Sequence, residues 1–184
     1  MISREEAIEL MEINIQSENM RKHCYASEAV LRAMAIRLGK NEEEWGLAGL
    51  LHDIDVEITN ANPLTHGPYS EKLLKEKITD EMLDAIVMHN EIASGKERTT
   101  EFQHALAAGE TITGLVTATA LVYPNKKIAE VKSKSVTKRM KQKAFAASVK
   151  RENILECEKI GIPLNEFAEL SVNAMKKISD VLGL

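Results

Sequence analysis

The residues of this 184-residue chain best suited to chemistry are its histidines, His23, His52, His66, His89 and His104, and the acids that stand near them. His52 and Asp53 are adjacent, at the point where the apolar run Leu47 to Leu51 gives way to a stretch containing Asn60, Asn62, Pro63 and Gly67. At such a helix end, neighbouring side chains can converge on one point instead of fanning out around an axis. Imidazole nitrogen together with carboxylate oxygen is a ligand set for one or two divalent transition ions: iron, manganese, cobalt, nickel or zinc. A single inward histidine is more often a hydrogen-bonded core residue, so this chemistry requires several to meet.

The elements that must position these groups read as helices from end to end. Ser3 and Glu6 form a capping box that opens a helix with Ile8, Met11 and Ile15 on one face. A second helix, from about Met20 to Leu38, carries His23 on a stripe with Met20, Ser27, Val30 and Met34, and Gly39 closes it. Asn41 caps a third, whose acidic first turn is followed by Trp45, Leu47 and Leu50 up to His52. Residues 55 to 67 read as a loop, and Pro68 suits the first turn of a short helix. The helix capped by Thr79 runs to about Asn90 and places His89 on a stripe with Met82, Ala85 and Ile86. After a loop at residues 92 to 99, Thr100 and Gln103 form a second capping box for a long helix ending before Pro124. Helices at roughly 144 to 160 and 164 to 182 follow, separated by Gly161 and Pro163. No segment alternates as a strand would. The expected fold is all-α, a single domain over 1–184 with the site's core at about 19–123 and a helical extension at about 124–184.

Composition narrows the function classes. The net charge of −4 and a sequence pI near 5.8 argue against a nucleic-acid partner, as does the scarcity of aromatics at 4%. The longest uncharged stretch, Thr111 to Asn125, is 15 residues, short of the roughly 20 needed for a membrane span. The first residues lack the apolar core of a signal peptide, and Cys24 and Cys157 stand alone, so a reducing cytoplasm is the expected setting. Charge is segregated: from Lys126 to Arg151 there are ten Lys or Arg residues and one acid, Glu130.

In its order of ligand-bearing segments the chain resembles the HD-domain superfamily of metal-dependent phosphohydrolases. That family's signature is a His, then a His-Asp doublet, then a distant Asp. His23 matches the first His, and Gly49-Leu50-Leu51-His52-Asp53-Ile54-Asp55 matches the doublet with its apolar approach. His66 in Thr65-His66-Gly67 and His89 in Met88-His89-Asn90 match two further histidines that hold a second metal in many relatives. Gly109-Glu110-Thr111-Ile112-Thr113-Gly114-Leu115 aligns with the last segment but puts Glu110 where Asp is usual, the same charge on a stem one methylene longer. The resemblance implies an HD-type helical bundle whose metal ligands are His23, His52, Asp53, Glu110, His66 and His89, with Asp53 bridging two ions.

It also implies hydrolysis of a small phosphomonoester or a nucleotide-type phosphate by a metal-activated water. Asp53 and His52 would be catalytic, with Asp53 orienting the water. Cations beyond the metals would grip the phosphate, and Lys134, Lys138, Arg139 and Arg151 are the candidates from the basic stretch. Asn90 would either touch substrate or cap its helix. The rival reading is a binding or regulatory module on the same scaffold, which the change to Glu110 keeps open.

Overall fold

The computed structural model describes residues 1–184 and is helical with no strand. Its elements are α1 (Arg4–Asn14), α2 (Glu18–Leu38), α3 (Glu42–Leu51), α4 (Glu71–Leu74), α5 (Asp80–Met88), α6 (Glu91–Ser94), α7 (Glu101–Leu121), α8 (Ser133–Met140), α9 (Arg151–Leu155), α10 (Leu164–Lys176) and α11 (Ser179–Leu182), with short 3₁₀ turns before α4, before α8 and after α9.

Local chemistry sets most of these boundaries. Both capping boxes form: Ser3 and Thr100 accept from the backbone N–H groups of Glu6 and Gln103, and those side chains accept in return. Asn41 accepts from Glu43 and Glu44 at the start of α3. Gly39 ends α2 in the left-handed region at φ 67°.

The two 21-residue helices, α2 and α7, form the central pair. α3 packs along α2, α5 lies against α3 and α7, and α10 covers α2 and α7 from the other side. Small residues let the axes close up. A Cβ on Gly109 of α7 would come 2.3 Å from Leu31 Cδ2 of α2, and one on Gly49 of α3 would come 2.7 Å from the Ser27 carbonyl oxygen. Stacking of Trp45 on Phe102, at 4.8 Å and 6° between planes, joins the first turns of α3 and α7. The core is one continuous cluster that includes Met11, Leu31, Met34, Leu50, Ile86, Leu115 and Phe167.

Because the atom facing Gly49 is backbone, it cannot rotate away. Gly49→Ala is therefore expected to push α3 off α2 and destabilise the fold by about 1–3 kcal/mol, the usual cost of overpacking. Thermal unfolding measures this directly, and an unchanged midpoint would show that the two helices need no such contact.

Three expectations require correction. The helix expected at 144 to 160 begins only at Arg151 and continues as a 3₁₀ turn over Glu156–Ile160. Residues 141–150 are turns instead, because the Arg151 guanidinium collects the carbonyls of Ala146 (2.6 Å), Val149 (2.7 Å), Gln142 (3.4 Å) and Phe145. Those oxygens are satisfied without a helical ladder. The last expected helix divides at residues 177–178 into α10 and α11, and part of the loop at 92–99 is the single turn α6. No helix is long and apolar enough to cross a membrane.

Candidate metal centre

His52 and His89 occupy the same local position, the C-cap of α3 and of α5. Each ring turns back on a carbonyl of the last turn of its helix: His52 Nδ1 donates to the Gly49 oxygen at 2.8 Å and His89 Nδ1 to the Ile86 oxygen at 2.5 Å, which the His89 backbone N–H also reaches at 3.3 Å. A carbonyl can only accept, so Nδ1 carries the proton and Nε2 presents a lone pair.

The other two rings are oriented in the same sense. His66 Nδ1 donates to Asp55 Oδ1 at 2.8 Å, and the second oxygen of Asp55 takes the Gly67 N–H at 2.8 Å. His23 Nδ1 lies 3.0 Å from the Thr113 hydroxyl, which spends its own proton on the Glu110 carbonyl at 2.6 Å and therefore accepts from the ring. Four Nε2 lone pairs from α2, α3, the 52–67 turn region and the end of α5 thus face one another.

They do so in two pairs. His23 Nε2 is 3.1 Å from His52 Nε2, and His66 Nε2 is 3.0 Å from His89 Nε2. Asp53 sits between the pairs: Oδ2 is 3.5 Å from His23 and 3.4 Å from His52, while Oδ1 is 3.1 Å from His66 and 3.6 Å from His89. Two ligand atoms bound about 2.0–2.2 Å from one ion stand roughly 3.0–3.5 Å apart. Each pair with its Asp53 oxygen meets that spacing, and each set of three could hold a metal ion.

Electrostatics shows what the arrangement lacks. Two bare lone pairs at 3 Å repel unless a cation lies between them. Burial presses against charge on all four rings, and it prevails for His23 and His89, whose pKa values fall to about 4. For His52 the charge and hydrogen bond of Asp53 outweigh burial and the pKa is raised. Hydrogen bonds to Asp53 and Asp55 likewise lift His66 to about 10. Each pair therefore retains one ring that favours a proton, the place a metal ion would take. Asp53 is itself buried, yet the charge and hydrogen bond of His52 hold it well below the usual carboxylate range.

Glu110 is set back from this cluster. Its Oε2 comes no nearer than 3.9 Å to His23 Nε2, its Oε1 accepts from the Thr111 hydroxyl, and burial raises its pKa to about 7. His104 takes no part, and instead bonds Glu156 Oε2 at 2.8 Å.

Beside the cluster lies a cavity of about 340 Å³ lined by His23, Asp53, His66, His89 and Glu110 and, on its far side, by the segment Ser148–Lys150. Of the four residues expected to contact substrate, Asn90 alone lines it. The Asn90 amide donates to the carbonyls of Pro63 (3.0 Å) and His66 (2.9 Å), so it latches the loop instead of capping a helix. Lys138, Arg139 and Arg151 do not line the cavity, nor does Lys134. Arg151 is committed to the 142–149 carbonyls, Arg139 lies over the Phe145 ring at 4.6 Å, and Lys138 is exposed on α8. The cation that reaches the cavity is Lys150, one residue from the arginine chosen on sequence grounds.

Asp55, Thr113 and Arg98 were also not singled out from the sequence. A second acid two residues after Asp53 was a visible signal for Asp55, since an acid inside an apolar approach needs a buried partner. Asp55→Asn keeps the volume but loses the carboxylate that orients His66. Metal affinity is expected to fall about 10- to 100-fold, as for comparable outer ligands, and competitive chelator titration will measure it. Unaltered affinity would mean that His66 needs no such support.

The helical bundle and its paired His and Asp groups define an all-helical protein with a cluster able to hold divalent metal. A family model described as HD domain matches residues 20–142, more than half of the chain, and the chain belongs to that family, whose members are in general metal-dependent phosphohydrolases. No curated protein and no solved structure matches it.

Proposed function

We propose that this chain is a phosphohydrolase that attacks a phosphomonoester or nucleotide-type phosphate with a metal-activated water. The observation that carries this reading is the set of four imidazoles whose Nδ1 atoms are all engaged and whose Nε2 atoms face Asp53 in two pairs. A buried array of imidazole and carboxylate acceptors facing one another is costly unless protons or metal cations lie among them, and its spacing suits two metal ions.

Divalent ions held there would supply a water whose pKa falls towards about 7 and positive charge opposite the phosphoryl oxygens. His23 and His52 would hold one ion, His66 and His89 the other, and Asp53 would contribute one oxygen to each. Asp53, kept ionised, is the group to accept a hydrogen bond from the attacking water and orient it. His52 is locked by Gly49 so that its Nε2 cannot turn away. Glu110 would complete the first set with a small movement of its longer stem.

Elemental analysis followed by assay against simple phosphate esters and nucleotides, with manganese, iron or cobalt added, tests the proposal. Stoichiometric metal with turnover is the expected result. The second reading, a module that binds without turnover, draws on the withdrawn position of Glu110; metal-loaded protein inert towards every ester would favour it.

A further inference from the structure

The cavity beside the metal centre has a wall whose chemistry says what fits it. Segment 141–150 bends over the bundle and brings Ser148, Val149 and Lys150 to the cavity. Arg151 pins this segment by four of its carbonyls, so Lys150 is presented from a braced turn and not from a free tail. Lys150 is the one Lys or Arg among the lining residues, and no Phe, Tyr or Trp is among them. Ala61, Pro63, Ile92 and Val149 are the apolar part of the remaining wall; of its polar part, the side chains of Asn90, Thr111 and Asn153 are hydrogen-bonded within the protein, which leaves the Ser148 hydroxyl.

From these features we infer that Lys150 binds the phosphoryl group of the substrate and that the substrate is a small monoester of a non-aromatic alcohol. This rests on the hydrolase reading given above. A phosphomonoester is close to a dianion at neutral pH, and a single ammonium at the rim can serve one such group. A second or third phosphate would need cations of its own, which this lining does not offer. A nucleobase is held by aromatic stacking or by a set of edge contacts, and the apolar residues here are small and aliphatic. The volume of about 340 Å³ is at the low end of small-molecule sites, which run from about 300 to 1,000 Å³. The cations from Lys126 to Arg151 adjoin this wall in sequence and would draw anions towards it.

The test uses metal-loaded protein with glycerol 3-phosphate, AMP and ADP as substrates, and inorganic phosphate as a ligand in calorimetry. Glycerol 3-phosphate is expected to have the highest kcat/KM. Lys150→Ala should raise its KM and weaken phosphate binding about 10- to 100-fold, the scale of a lost charge-assisted hydrogen bond, with metal content unchanged. Lys150→Arg should restore most of both, and Lys75→Ala, at an exposed position away from the cavity and outside the basic stretch, should alter neither. Preference for AMP or ADP overturns the substrate class. Phosphate binding that is absent, or the same in Lys150→Ala, overturns the role of Lys150. If no ester is turned over, the hydrolase reading fails by itself, while the calorimetric comparison still decides whether Lys150 holds phosphate.

Discussion

Replacing Asp53 with Ala is expected to lower kcat/KM for any phosphate ester by at least about a thousandfold. That factor is roughly 4 kcal/mol at 1.36 kcal/mol per decade, in keeping with the several kcal/mol of charge stabilisation that a catalytic metal contributes. Asp53 is the carboxylate that lies between both pairs of imidazoles, with Oδ2 3.4 and 3.5 Å from His52 and His23 and Oδ1 3.1 and 3.6 Å from His66 and His89. On the proposed two-ion reading, its loss would remove a shared ligand and the anion that offsets two divalent charges. Metal content should fall with activity, and elemental analysis of the purified variant will show whether it does. Asp53→Asn keeps the shape and one potential ligand oxygen, so it should lose less metal than Asp53→Ala. Helical content should survive, because Asp53 lies in a turn just past the end of α3 and belongs to no helix. Full activity with a full complement of metal in Asp53→Ala would end the two-site reading.

Arg98→Ala is expected to be the most destabilising single change on the C-terminal side. The residue is 6% exposed. Its guanidinium donates to both oxygens of Glu156 (2.8 and 2.7 Å), to Asn153 Oδ1 (3.1 Å) and to the carbonyls of Met88 (3.1 Å) and His89 (3.2 Å). It therefore ties the end of α5, where His89 sits, to α9. Truncating one partner leaves Glu156 buried without its cation and two helix-end carbonyls without donors. Breaking a buried pair in this way costs about 3–5 kcal/mol, and for a chain of this size each kcal/mol lowers Tm by about 2–4 °C. A fall in Tm of roughly 6–20 °C follows from those two ranges. The network is also sensitive to acid. Burial alone would raise the pKa of Glu156, but Arg98 and His104 bring it below its ordinary 4.5. A lowered folded-state pKa stabilises fully above 4.5, and that contribution is lost as pH falls through the folded value. The acid limb of a stability profile should flatten in Arg98→Ala. A variant that melts with the parent chain and keeps the parent's acid limb would show that Glu156 finds compensation elsewhere.

Much of this was legible in the chain itself. The α2, α3 and α7 boundaries followed from Gly39, from Asn41 with its acidic turn, and from the Thr100–Gln103 box, because a helix terminus is decided by groups three or four residues away. The inward stripes holding His23 and His89 followed from a period of 3.6 residues for the same reason. The His52-Asp53 doublet stood out because it interrupts an apolar run at a helix end, and the structure places these groups side by side.

What could not be read locally was decided by partners far along the chain. No short-range signal distinguishes Lys150 from Arg151; the division of labour between them arises because the arginine can gather four carbonyls of the preceding turn while the lysine is left facing the cavity. The orientation of His23 depends on Thr113, 90 residues away, and the binding of Arg98 to Glu156 spans 58. The amino-acid order by itself determined the principal helices up to Pro124 and which residue types could bind metal, since those depend on spacing and intrinsic chemistry. Only the packing of α2, α3, α5 and α7 decided which nitrogen of each ring faces the centre, how far Glu110 stands from it, and which cation reaches the cavity, because each of these is settled by contacts between segments that the chain order leaves apart.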